Sequence, residues 1–423
     1  MEQRSARFRR WRWTVFWTLL LGYVAYYLCR ANLSAASELV METLQIDRES
    51  FGLISAVSTW AYAVGKFTHG FLADRFGGRV MFLLGIFGAA VFSGACGLFG
   101  SLGALVGLWS LNRFLQAGGW VGMVQVSAQW YRRTEVGTAM SMISLSYLVG
   151  DIAGRGLAAT IVKEGGGLSA VFLVPAAITL VVAMVSVYTL KPSPESIGEP
   201  ALNAEEAGEA RDEGGFRKED LKRLLKSPGF IMLCVMSILL TAIRLAFQDW
   251  SAAYFKHLGV DLAGSMWDSA IFPTAGAVAT LLAGVVSDRM HAGQRAPICI
   301  TLLLVLTGGL ICFATMDDIT PADARILMAI CGFGLLGPYS LLGGAGSIDV
   351  GGRRTAAVAA GLVDGIGYLL GPLFGSLGVA SLIQRLGWNA AFVALACASL
   401  VSVVAAYFFL RATRPKPTTA ASV

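Results

Sequence analysis

Apolar runs recur along the whole chain, separated by polar breaks. Each runs to about 20 residues, enough to cross a hydrocarbon core of about 30 Å as a helix. They predict spans near 14–36, 51–72, 80–99, 104–130, 138–162, 170–190, 228–254, 265–286, 296–315, 323–346, 357–383 and 389–410. One break is much longer than the rest. Residues 191–227 hold Pro192, Pro194 and Pro200, then a Glu-rich stretch, then Lys and Arg. That composition reads as a solvated linker, with a short surface helix over 221–226. The pattern predicts an all-α integral membrane protein of twelve transmembrane helices, in two six-helix lobes at 1–190 and 228–423.

The two halves repeat. Gly70-Phe71-Leu72-Ala73-Asp74-Arg75 matches Gly284-Val285-Val286-Ser287-Asp288-Arg289 at an offset of 214, the separation of Arg30 from Arg244. Arg132-Arg133-Thr134 and Tyr147-Leu148-Val149-Gly150 match Arg353-Arg354-Thr355 and Tyr368-Leu369-Leu370-Gly371 at 221. A duplication of six spans is the plan of two-lobed secondary transporters, whose substrate site lies near the midplane.

Composition agrees. Charged residues make up 14% of the chain and hydrophobic ones 56%, against about 25% charged in a soluble domain. The net charge of +6 does not point to nucleic acid, because 23 of the 33 Lys and Arg fall in segments placed in the cytoplasm, five outside and five within spans. By the positive-inside rule both termini are cytoplasmic. Arg4, Arg7, Arg9, Arg10 and Arg12 precede the first run as in a secretory signal, but Arg30 and the lack of a small-x-small cleavage site argue for a retained span. Seven scattered cysteines and three distant histidines give no metal-ligand spacing, and no phosphate-cradling Gly-x-x-x-x-Gly-Lys-Ser/Thr motif is present. Neither a cofactor nor an enzymatic activity is expected.

The chemistry lies in charges set deep in apolar runs. A cation at a helix centre costs about 2.5–3.5 kcal/mol on insertion scales, so it faces a cavity, a partner or a ligand. Arg30 and Arg244 stand at equivalent depth in the two halves, and a guanidinium fork suits phosphate or carboxylate oxygens. Together they imply an anion. Lys66 adds positive potential on the way to that site, or snorkels to the headgroups. Asp151 and Arg155, four apart on one helix face, neutralise each other, unless Asp151 couples protons or Arg155 faces substrate. Asp364 contacts substrate or pairs with a cation. Tyr23 and Tyr27 lie in the turns before Arg30; Tyr147, its repeat mate Tyr368, and Trp120 either line the site or pack helices. Asp74-Arg75 and Asp288-Arg289, at cytoplasmic span ends, read as gating latches.

With these residues in view, the chain resembles the organophosphate:phosphate antiporters of the major facilitator superfamily over nearly its whole length. The resemblance is carried by Gly22 to Asn32, Gly65-Lys66-Phe67, Ala73-Asp74-Arg75, Ile243-Arg244 through Asp249-Trp250-Ser251, and Ser193-Pro194-Glu195-Ser196-Ile197-Gly198. Gly337-Pro338-Tyr339-Ser340 and Asp364-Gly365-Ile366-Gly367 look like the sugar-phosphate exchangers. It implies that Arg30 and Arg244 bind a phosphoryl group, with Lys66, Tyr23 and Tyr27 beside them. Three features depart from the family: Tyr147 stands where a histidine is common, Val121-Gly122 where two prolines follow the tryptophan, and Arg155 where a small neutral residue is found. The expectation is a monomeric inner-membrane exchanger of inorganic phosphate for a small phosphorylated organic anion. Its rivals are a transporter-like sensor of a sugar phosphate and a proton-coupled carrier of organic anions.

Overall fold

The computed structural model describes residues 5–202, 223–288, 295–342 and 347–413. Twelve helices of 18 residues or more lie among them. Six fall before the linker: α1 (Ala6–Ala35), α3 (Arg48–Phe76), α4 (Gly78–Cys96), α5 (Leu102–Trp130), α6 (Arg133–Lys163) and α7 (Leu168–Thr189), with a short α2 (Ser37–Leu44) after α1. After it come α8 (Pro228–His257), a short α9 (Leu262–Asp268), α10 (Ile271–Asp288), α11 (Arg295–Thr315), α12 (Pro321–Leu341) and α13 (Ser347–Pro372). A π-helical turn (Leu373–Gly378) leads from α13 into α14 (Val379–Leu386), and α15 (Trp388–Thr413) ends the described chain. By length and composition, seven segments of these helices are apolar enough to cross a membrane. Two of the seven, Leu145–Lys163 and Pro228–His257, carry deep charges themselves, Asp151 with Arg155 and Arg244.

Helix ends follow local chemistry. Asp47, Ser101 and Asp261 accept bonds from the first turns of α3, α5 and α9, and Thr320 with Asp323 forms a capping box on α12, each satisfying amides that a helix start leaves open. Gly77, at φ +83°, turns α3 directly into α4, a conformation that costs a residue with a Cβ dearly. Three helices differ most from the predicted spans, and one of them, α13, starts at Ser347 rather than near 357. α1 starts at Ala6 rather than near 14, because Ser5 caps it and Arg12 reaches Glu135 at 3.0 Å and the Tyr131 ring at 4.5 Å. The span expected over 265–286 is broken: Asp261 caps the separate α9, and a turn at Ser269–Ala270 precedes α10. Of the expected surface helix at 221–226, residues 223–225 are helical and 221–222 lie outside the described residues.

The chain divides into two compact units, Met1–Gly215 with Phe247–Pro273, and Phe216–Ala246 with Thr274–Val423. α8 therefore contributes to both, with Arg244 in the second unit and Asp249 in the first.

The same device closes each unit around its arginine helix. In the first, a Cβ on Gly150 of α6 would lie 2.8 Å from the Val24 carbonyl oxygen, and one on Gly154 2.9 Å from Ala31 Cβ. In the second, a Cβ on Gly367 of α13 would strike Ser237 Oγ and lie 2.8 Å from Thr241 Oγ1. One on Gly371 would lie 2.8 Å from Thr241 Cγ2, and one on Gly375 would strike the Ala242 carbonyl. Glycines spaced by four form a groove that admits a neighbouring backbone. Gly150 and Gly154 are the repeat mates of Gly371 and Gly375, so each copy seats its arginine helix on the same groove.

Candidate functional site

In the first unit the site is built on a break in α1. Cys29 leaves helical geometry (φ −88°, ψ 17°) immediately before Arg30. Its carbonyl accepts a bond of 3.0 Å from Gln116 Nε2 of α5, which also donates to Asn112 Oδ1 at 2.6 Å. A kink thus held by a buried amide aims the next residue. Arg30 Cζ lies 4.5 Å from the centroid of the Tyr62 ring and 4.9 Å from that of Tyr27.

Tyr62 is the hub. Lys66 Nζ, one turn further along α3, lies 5.3 Å from its ring centroid, and Arg113 Cζ of α5 lies 4.9 Å from it. Gly65 is what lets α5 approach: a Cβ there would meet the Phe114 carbonyl and stand 2.9 Å from Ala117 Cβ. Three cations from three helices therefore share one aromatic ring, with Tyr62 and Arg113 both buried. Against an insertion cost of about 2.5–3.5 kcal/mol per deep cation, a desolvated cation–π contact returns about 2 kcal/mol.

The remaining aromatic candidates form a wall behind Tyr27. Tyr27 and Tyr147 have ring centroids 6.0 Å apart, Tyr23 and Tyr27 5.6 Å, and Tyr23 and Trp120 6.0 Å. Tyr27 touches Arg30 directly, whereas Tyr23, Tyr147 and Trp120 meet it through other rings. Tyr26 turns away and donates to the Phe82 carbonyl.

Asp151 and Arg155 pair, with Arg155 Nε 3.4 Å from Asp151 Oδ2. Arg155 also donates to Ser269 Oγ at 2.9 Å and to the Gln248 carbonyl at 3.1 Å. It ties α6 to α8 and to the turn after α9, and the pair stands as the four-residue spacing predicted. Ser55 Oγ of α3 donates to Asp249 Oδ2 at 2.5 Å, and Phe51 packs on Trp250 with centroids 5.5 Å apart. These too join the last part of α8 to the first unit.

In the second unit Arg244 sits between two tyrosines. Its Nη2 donates to Tyr368 Oη at 2.8 Å, and its Cζ lies 4.7 Å from the Tyr339 ring centroid and 5.6 Å from that of Tyr368. Asp364 is half-buried one turn before Tyr368 on α13. Asp74 and Arg75 end α3 in exposed positions, Arg75 over the Phe76 ring at 5.4 Å. Arg289 and the side chain of Asp288 lie outside the described residues. Arg79 bonds the last carbonyls of α7 (Leu190 O, 2.8 Å; Val187 O, 2.7 Å), where a cation suits the helix dipole.

Tyr62, Tyr339 and the place of Arg113 were not read from the sequence as site features. The four-residue spacing of Tyr62 from Lys66 was a usable signal, since it puts both on one helix face.

Comparison with known proteins supports this architecture. The family model described as Major Facilitator Superfamily matches residues 19–369. The membrane sensor protein UhpC of Salmonella typhimurium is 28% identical, over 98% of this chain and 95% of that protein. The glycerol-3-phosphate transporter of Bacillus subtilis is 25% identical (95% and 93%), and the hexose-6-phosphate:phosphate antiporter of Escherichia coli 26% (92% and 89%). Among solved structures, an inward-facing bacterial homologue of the human lysosomal transporter Spinster matches with a TM-score of 0.74 at 18% identity, covering 96% of this chain and 99% of that one. A D-xylose–proton symporter matches with a TM-score of 0.74 at 13% identity (94% and 97%). A duplicated all-α membrane chain with a deep arginine–tyrosine cluster in each unit, matched by this family over most of its length, belongs to the Major Facilitator Superfamily.

Proposed function

We propose that this protein exchanges a small phosphorylated organic anion for inorganic phosphate across the inner membrane, by alternating access, with both termini cytoplasmic. The observation that carries the reading is the convergence of Arg30, Lys66 and Arg113 on Tyr62 in one unit, with Arg244 held between Tyr339 and Tyr368 in the other. Arg30 and Arg244 take the phosphoryl oxygens, because a planar fork binds two oxygens at once. Lys66 adds a third cation, and Tyr27 holds Arg30 in place.

Exchange is obligatory in this reading because the cationic cluster repels itself when empty. Cations in a low-dielectric setting interact far more strongly than in water, and a bound dianion cancels that repulsion. Conformational change is then favoured only with ligand aboard, since a ligand shifts an equilibrium through its differential affinity for the two states. The direct test is counterflow: proteoliposomes loaded with phosphate take up radiolabelled phosphate from outside, and unloaded ones do not. Equal uptake into empty vesicles would contradict exchange.

One observation favours a second reading. Two relatives, at 28% and 27% identity, are named membrane sensor proteins. A sensor binds phosphate esters but turns over slowly, so saturable binding with negligible counterflow would select it. Proton-coupled uptake has less support, because Asp151 is engaged by Arg155.

A further inference from the structure

We propose, resting on the exchanger reading above, that Gln116 is a positioning residue for exchange: from α5 it holds the break in α1 at Cys29 and so sets the direction in which Arg30 leaves that helix. The break is a rearrangement of hydrogen bonds. In an unbroken α-helix the Leu33 amide donates to the Cys29 carbonyl. Here Gln116 Nε2 donates to the Cys29 carbonyl at 3.0 Å, and the Leu33 amide donates to Asn32 Oδ1 at 3.0 Å. Arg30 lies between them in the chain. From the other side α7 fixes the direction of the bend: Thr179 donates to the Ala25 carbonyl at 3.0 Å, and Asn32 Nδ2 donates to the Val171 carbonyl at 3.3 Å.

The Gln116 carboxamide has one orientation open to it. It belongs to a ladder that ends on two carbonyls, Cys29 of α1 and Ala89 of α4, the latter accepting from Asn112 Nδ2 at 3.0 Å. A carbonyl only accepts, so Gln116 must turn its nitrogen toward Cys29, and Asn112 must turn its oxygen toward Gln116. The bond between the two amides is 2.6 Å long. Gln116 is 3% exposed and Asn112 0%, so the ladder lies inside the unit. Gln116 Oε1, by contrast, is buried with no hydrogen-bond partner among the described residues. An open buried acceptor is destabilising, so for filling space a glutamine is worse here than an apolar side chain of its length. What its nitrogen does at Cys29 gives the amide its role.

The test is phosphate self-exchange in proteoliposomes by Gln116→Met, which keeps the length of the side chain and removes the donor. The Cys29 carbonyl can then take the Leu33 amide, so the fold is expected to hold while Arg30 is misdirected. A misplacement of about 1 Å at a positioned group costs up to about a hundredfold, so the half-saturating phosphate concentration is expected to rise about tenfold or more. The thermal midpoint and the maximal rate per folded protein should stay near wild type. Gln116→Asn, whose amide is one methylene short of Cys29, is expected to show the same split. Unchanged half-saturation in folded Gln116→Met, a loss confined to the maximal rate, or no folded protein from either variant would each overturn the proposal, the last by making the ladder purely structural. Absent phosphate self-exchange in the wild type would instead sink the exchanger reading. Equilibrium binding of phosphate to the detergent-solubilised protein then decides, and equal affinity in the wild type and Gln116→Met overturns the proposal by itself.

Discussion

Tyr62 does more for the first unit than its residue type suggests. Its ring is the common neighbour of Arg30, Lys66 and Arg113, and cation–π contacts are worth about 0.5–2 kcal/mol depending on desolvation. Replacing the ring with Tyr62→Leu should therefore weaken phosphate binding by about tenfold or more, whereas Tyr62→Phe, which keeps the π face, should stay closer to wild type. Equal loss in both variants would move the function from the ring to the hydroxyl. The cations themselves were legible in the sequence, because a charge in an apolar run is conspicuous. Tyr62 was not, since a tyrosine in a membrane helix packs far more often than it organises a site. Arg155 shows the converse: its depth was visible, but its bonds to Ser269 and Gln248 come from a segment more than ninety residues away. Asp151→Asn would leave that guanidinium buried without its charge partner. A lower thermal midpoint, with exchange still measurable, is the expected result, because breaking a buried pair is costly.

At the scale of elements, the glycine groove on α13 fixes where Arg244 stands. Gly371→Leu should force α8 outward through Thr241 and cost both folded yield and exchange; Gly371→Ala should cost less. Yield and exchange both at wild-type levels in Gly371→Leu would show that the groove does not seat α8. A second element makes a pH-dependent prediction. Glu38 on α2 lies 3.5 Å from Arg48, and burial raises its pKa although Arg48 works in the opposite direction. Folded Glu38 thus holds its proton more tightly than the unfolded chain does. Glu38→Gln should stabilise the protein at neutral pH, with the gain fading as pH falls through the raised pKa into the ordinary carboxylate range. A thermal midpoint measured across that window checks it. The long apolar runs showed twelve helices, but the break at Ser269–Ala270 escaped them: hydropathy averages over a turn that only Asp261 and local bonding reveal.

For the whole molecule, duplication is the organising fact. Each unit seats an arginine-bearing helix on a glycine groove and surrounds the guanidinium with tyrosines, yet the tyrosines come from different places: Tyr27 and Tyr62 for Arg30, Tyr339 and Tyr368 for Arg244. The repeat was readable at the offsets of 214 and 221 because the grooves and arginines kept their spacing. Of the aromatic partners, Tyr27 and Tyr368 were readable too, but Tyr62 and Tyr339 were not, because their places in the other copy are held by Gly276 and Gly118. The most direct measurement of the central claim is phosphate self-exchange by Arg30→Lys and Arg244→Lys in proteoliposomes at matched protein levels. Both lysine variants keep the charge and lose the fork. Exchange reduced a hundredfold or more in each, on the order of what a lost bidentate charge-assisted contact costs, is the predicted result; near-normal exchange in either would contradict the account.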